Sequence, residues 1–301
     1  MAVVGVGVCA ASIQSIGDLF AGLGPDVGAA YVIAVRQQEG LAVSTVLDLL
    51  KKQSALPVHV PADMDQLEPN HIYVGGPDDM ITIEGGHVRI RPAAEPVGHR
   101  GTIDSMLISL AEQAHDRTIA VLLAGLGGEG TAGVTATKKF GGLSIAELID
   151  GGLQDDAGTG PFGVVDLRLP VGQIAAQIAL YAADLDAPGE GAPSEEMPDE
   201  IEAQVTQIAT ILRNVTGNDF HGYKRGTFIR RVHRRMQVTQ TDTVADYVAR
   251  LREDRDEVQH LFQDLLIGVT QFFRDPAEFE ALEREIPRLF EGKEPNEQLR
   301  V

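Results

Sequence analysis

Cys9 is the only cysteine among 301 residues, so no internal disulfide can form and no thiolate metal cluster can be built. The eight histidines are scattered, none in a short-spaced pair, which leaves a metal without a ligand set. No apolar run approaches the roughly 20 residues a helix needs to cross a bilayer. A basic stretch leading into an apolar core and a cleavage site is missing from the start. Together these absences lead us to expect a cytoplasmic protein. Basic residues are scarce before residue 204. The formal charge is -19, yet residues 204–301 carry 15 Lys/Arg against 16 Asp/Glu, so nearly all the negative excess precedes them. An acidic first part disfavours nonspecific binding to nucleic acid. It is also what a salty cytoplasm would select.

What is present suffices for two domains, since 44% of the residues are hydrophobic. An apolar stretch, Val3 to Val8, runs into the small-residue turn Cys9-Ala10-Ala11-Ser12, and a helical pattern (Ile13, Ile16, Leu19, Phe20, Leu23) follows at once. Strand-like runs at Ala30–Val35, Ile72–Val74, Ile119–Ala124, Leu143–Ala146 and Val164–Leu169 alternate with helical ones. Ile81, Ile83, Val88 and Ile90 alternate around Gly85-Gly86, the mark of a hairpin. The pattern predicts an α/β domain with a doubly wound, mostly parallel sheet over residues 1–183. Residues 184–200 read as a linker, with eight acidic and no basic residues between Asp184 and Glu202. From residue 201 to 298 the period is helical throughout, which predicts a small all-α domain.

In such a sheet the strand ends present Cys9, Arg36 and Glu129 on one rim, the first domain's candidate site. A helix N-terminus beside Cys9 would favour a thiolate, whereas flanking valines suit a small buried hydrophobe. Gly5-Val6-Gly7 gives a partial dinucleotide fingerprint, but Ala10 holds the third glycine position. Arg36, not an acid, ends the second strand, as an NADP site would require. A nucleotide or other small molecule on the Gly5–Ser12 turn is therefore one reading. Gly125-x-Gly127-x-x-Gly130 has the spacing of a phosphate loop and equally of a tight turn.

In the helical part, Phe228, Ile229, Val232 and Met236 form one apolar stripe at 100° per residue. Lys224, Arg225, Arg230, Arg231, Arg234 and Arg235 surround it with no acid among them. A solvated face mixes signs, so this one suits an anionic partner, and the lack of interleaved aromatics favours an acidic protein over nucleic acid. Thr270 and Arg274 lie in a loop between two helical stretches, where Asp275-Pro276 supplies an N-cap and a first-turn proline.

These residues carry a resemblance. Val4-Gly5-x-Gly7, Glu68-Pro69-Asn70-His71-Ile72-Tyr73-Val74, Ile103-Asp104, Ser109-Leu110-Ala111 and the Gly125–Gly130 turn resemble the chemotaxis protein-glutamate methylesterase (CheB-type) family. Tyr223-Lys224-Arg225, Arg230-Arg231-x-x-Arg234-Arg235 and Thr270-x-Phe272-Phe273-Arg274-Asp275-Pro276 resemble the helical N-terminal domain of the CheR-type methyltransferases. The whole is similar to the first part of a CheB–CheR fusion. The resemblance implies a serine, histidine and aspartate triad, whose places fall here on Cys9, Arg36 and Glu129. It implies S-adenosylmethionine contacts at Thr270 and Arg274, with Gly268 where the family often has asparagine. The basic helix would meet the acidic methylation region of a chemoreceptor. The cofactor-binding fold would start at about 299–301, so these residues alone would bind the cofactor poorly and transfer no methyl group.

Cysteine can replace serine as a nucleophile and glutamate can orient a base. Arginine stays protonated and cannot accept the nucleophile's proton. A degenerate, silent esterase is therefore the expectation, with Arg36 and Glu129 paired across the rim. The competing expectation is a thiol-dependent esterase that borrows a base such as His99.

Overall fold

The computed structural model describes residues 1–36, 42–76, 79–92, 101–148, 165–186, 199–223 and 225–266. Seven strands form one sheet: β1 (Ala2–Val8), β2 (Ala29–Val35), β3 (Val58–His59), β4 (Ile72–Gly75), β7 (Thr118–Leu122), β8 (Leu143–Glu147) and β9 (Leu167–Leu169). Their order is β3-β4-β2-β1-β7-β8-β9, and every neighbouring pair is parallel. The expected sheet is thus present and parallel throughout. A separate antiparallel hairpin, β5 (Asp79–Glu84) and β6 (His87–Pro92), turns at Gly85-Gly86.

All seven residues of β1 and of β2 are buried, as strands covered on both faces must be. Val4, Val6, Val8, Tyr31, Ile33 and Val35 join one core with the helices α1 (Ile13–Ala21), α2 (Val43–Gln53) and α5 (Val171–Asp186). Val3, Ala30, Val32 and Ala34 join a second core with α3 (Thr102–Ala114) and α4 (Thr131–Phe140). The glycines of β1 belong to this second face. A Cβ on Gly5 would lie 2.6 Å from Leu107 Cδ2, and one on Gly7 2.8 Å from Ile103 Cγ2. They admit α3 to the sheet instead of forming a phosphate turn, which removes the basis for the dinucleotide reading.

The chain winds outward from β1 through β2 to β4, then returns to lay β7, β8 and β9 on the other side. The order reverses between β1 and β7, where side chains at the carboxyl ends of the strands converge in folds of this type.

The helical part comprises α6 (Asp199–Thr216), α7 (Arg225–Thr239), α8 (Val244–Glu253) and α9 (Arg255–Leu266). Its core gathers Leu212, Phe228, Val232, Met236, Tyr247, Leu251, Leu261 and Leu265, so the apolar stripe read on α7 is buried as expected. Because α5 runs to Asp186 and α6 begins at Asp199, both ends of the segment read as a linker are helical. The helical stretch expected after Asp275-Pro276 lies outside the described residues. Among the described residues no helix is long and apolar enough to cross a membrane.

Candidate functional site

Cys9 follows β1 directly and is fully buried. Its Sγ lies 3.4 Å from the Ala124 carbonyl, to which the thiol donates, and 3.6 Å from Ser12 Oγ. Ser12, itself buried, accepts from the Cys9 amide at 3.0 Å and donates to the Cys9 carbonyl at 3.3 Å. Among the described residues neither of the thiol's partners is a base, and the sulfur forms the floor of the rim.

Arg36 follows β2 and reaches over that floor. Its Nη1 donates to the Leu126 carbonyl at 2.8 Å and to the Gly125 carbonyl at 3.4 Å, and its Nε lies 3.3 Å from Glu129 Oε2. The ion pair expected between Arg36 and Glu129 is present. The Arg36 side chain keeps 31% exposure against 15% for Glu129, so the guanidinium is the outer lip of the site.

The turn that takes these bonds needs its glycines. Gly125 has φ +84° and Gly127 φ +57°. A side chain at Gly125 would meet Ala11 Cβ at 2.8 Å and Cys9 Sγ at 3.0 Å, and one at Gly127 would meet Arg36 Nη1 at 3.1 Å. The turn is thus pressed between the thiol and the guanidinium.

Glu129 has a second task. Its Oε1 accepts the Ile103 amide at 3.1 Å in the first turn of α3, which begins after Gly101 without a side-chain cap of its own. Asp104 returns the service by accepting the Gly133 amide of α4 at 2.8 Å, since α4 also starts from a glycine, Gly130. The two helices exchange N-terminal carboxylates. Burial raises the Glu129 carboxyl above its usual range, more than the Ile103 amide and Arg36 lower it.

One rim residue escaped the sequence reading. Glu147, the last residue of β8, is buried and accepts the Ala124 amide at 2.8 Å and the Ser15 hydroxyl at 2.6 Å. It anchors Ala124, the residue whose carbonyl receives the Cys9 thiol. Its place at a fourth strand end was the available signal. His99, proposed as a borrowed base, lies outside the described residues, as do Thr270, Arg274 and Gly268.

The basic helix is present, but its arginine face is not open as the sequence suggested. Arg231, Arg234 and Arg235 are 5%, 3% and 2% exposed. Arg231 donates to the carbonyls of Lys138 and Lys139 at 2.9 and 3.2 Å. Arg234 donates to the Gly142 carbonyl at 2.8 Å and to Asp166 at 2.6 Å, and it pairs with Asp264. Arg235 grips Glu257 with two bonds, at 2.9 and 2.6 Å, and Glu257 also accepts from the Tyr247 hydroxyl. The reading of these three as an open face for an outside partner is therefore corrected. Their acids come from α9 and from the stretch before β9, out of reach of any pattern local to α7. Arg225 remains exposed, while Lys224 and the Arg230 side chain lie outside the described residues.

With this geometry in hand, comparison with known proteins is decisive. Residues 4–151 match the CheB methylesterase family, and residues 203–266 match the all-alpha domain of the CheR methyltransferases. The chain carries a CheB domain followed by a CheR all-alpha domain. The crystal structure of the Thermotoga maritima CheB methylesterase catalytic domain superimposes with a TM-score of 0.51, covering 59% of this chain and 97% of that one. At 23% identity the likeness is one of fold. An uncharacterized 104.1 kDa protein of Rhodobacter capsulatus is 30% identical over 265 residues, which cover 79% of this chain and 27% of that protein. Protein-glutamate methylesterase/protein-glutamine glutaminase 3 of Paramagnetospirillum magneticum is 29% identical over 175 residues, 58% of this chain and 46% of that one. The chain thus spans 27% and 46% of the lengths of these two relatives. The CheB match ends at residue 151, but β9 and α5 complete the same sheet and core beyond it.

Proposed function

We propose that this chain is part of a chemotaxis-type signalling protein in which the CheB domain recognises without hydrolysing. One observation carries the reading: at the carboxyl end of β2, where a proton acceptor is needed, stands a guanidinium bonded to the Leu126 carbonyl at 2.8 Å and paired with Glu129 at 3.3 Å. A group that stays protonated cannot take the proton from Cys9, and losing a triad member typically lowers the rate by several powers of ten. The thiol donating to the Ala124 carbonyl supports the same reading.

The proposed partner is the acidic methylation region of a chemoreceptor, with the CheR domain as the recognising part. S-adenosylmethionine belongs to the whole methyltransferase, through Thr270 and Arg274, and these residues by themselves would hold it weakly.

The test is methanol release from a receptor carrying glutamyl methyl esters, for this chain and for Cys9→Ala. Both should run at the background rate. Release that disappears with Cys9 would reinstate a thiol-dependent esterase.

A further inference from the structure

The buried charges on α7 have more to say than that a predicted surface is covered. Lys138 lies 3.2 Å from Asp166 and 3.4 Å from Asp264, at 3% side-chain exposure. Asp166 has a fully buried side chain and accepts from Ser144 of β8 at 2.9 and 2.6 Å as well as from Arg234. The acceptors therefore come from both domains. Lys138, Lys139, Gly142 and Asp166 belong to the sheet domain, and Glu257 and Asp264 to the helical one.

On the sheet-domain side the target is the C-terminus of α4, whose carbonyls carry the negative end of the helix dipole. Arg231 and Arg234 lie on it as a carboxylate-seeking pair would lie on an acidic peptide. One turn further along α7, Val238 enters the sheet-domain core, so the contact has an apolar component too.

We propose that the C-terminus of α4, together with Asp166, is a built-in occupant of the arginine face of α7, and that it holds this face away from polycarboxylate partners until the two domains separate. The chemistry of the occupant defines the competitor: a segment rich in glutamate presents the same acceptors. The α4 contact lies at the end of the sheet opposite the Cys9 rim, because α4 starts at the rim turn and runs away from it. Occlusion of the arginines therefore leaves the rim uncovered by α7. The proposal rests on reading α7 as acid-binding and not on whether the rim hydrolyses esters.

Two variants on the sheet-domain side loosen the contact without touching an arginine. Asp166→Asn removes the charge that Arg234 and Lys138 share, and Lys138→Met leaves Asp166 and Asp264 facing each other with one cation fewer. Binding of poly-L-glutamate and the radius of gyration by small-angle scattering are measured on the intact chain at one ionic strength. Circular dichroism identifies a variant that has not folded, in which case the other decides. Either folded variant should enlarge the radius and bind poly-L-glutamate at least about tenfold more tightly, since breaking one partner of a buried pair shifts such an equilibrium by that much or more. Adding Arg231→Ala should cancel the gain. An enlarged radius without tighter binding would overturn the proposal and the acid-binding reading together. If the unaltered chain already binds poly-L-glutamate through Arg231, with no change in radius, the acid-binding reading stands and the sequestration falls.

Discussion

Arg36 holds three things at once: the end of β2, the carbonyls of the Gly125–Gly127 turn and the Glu129 carboxylate. Arg36→Ala should therefore lower stability by about 1–2 kcal/mol, the worth of a charge-assisted hydrogen bond to a partly exposed group. A urea titration reads this directly, and an unchanged midpoint would mean the guanidinium is ornamental. Arg36→His is the converse experiment. It places an imidazole at the carboxyl end of β2, and ester hydrolysis that depends on Cys9 should then appear above background. If it does not, the defect lies in the floor of the rim, where the thiol is bonded to Ala124, and not in the acceptor alone. The strand ends in the sequence were enough to bring Cys9, Arg36 and Glu129 to one edge. The pairing of Arg36 with Glu129 was legible too, but the bonds of Cys9 to the Ala124 carbonyl and of Arg36 to those of Gly125 and Leu126 were not, because hydrogen bonds to backbone carbonyls leave no trace in residue types.

At the level of elements, α3 and α4 depend on each other for their first turns. Gly101 and Gly130 offer no capping side chain, so the carboxylates of Glu129 and Asp104 take that place from across the gap. Asp104→Ala should cost about 1 kcal/mol, as losing an N-cap does. Hydrogen exchange should quicken at the Gly133 amide while amides near the end of α3 stay protected. Equal quickening along both helices would refute the exchange of caps. The helices, the hairpin and the parallel strands were legible because each follows its own apolar period, and β1 and β2 because an uninterrupted apolar run leaves only a doubly covered strand. The arginines of α7 were misread for a physical reason. A helical projection sees neighbours within one or two turns, and Asp166, Glu257 and Asp264 stand 68, 22 and 30 positions from the arginines they serve.

For the molecule as a whole, the buried Asp166 contributes to its tolerance of low pH. Burial alone would raise the Asp166 carboxyl, but Arg234, Lys138 and Arg235 outweigh it and hold it far below the carboxylate range. With the folded value depressed, this contribution is complete above the unfolded value of about 3.9 and fades as pH falls through the acid range toward the folded one. Melting temperature should thus drop more steeply below about pH 4 in the unaltered chain than in Asp166→Asn, which has no such proton to take up. Parallel curves would show that Asp166 is not what acid attacks.

One helix, α4, reaches both the rim and the arginines of α7. Ten residues of α4 span about 15 Å, from the glycine turn under Arg36 to the carbonyls held by Arg231 and Arg234. Such a rod is seated at each tip, its first turn on the Asp104 carboxylate and its last on the Arg231 guanidinium.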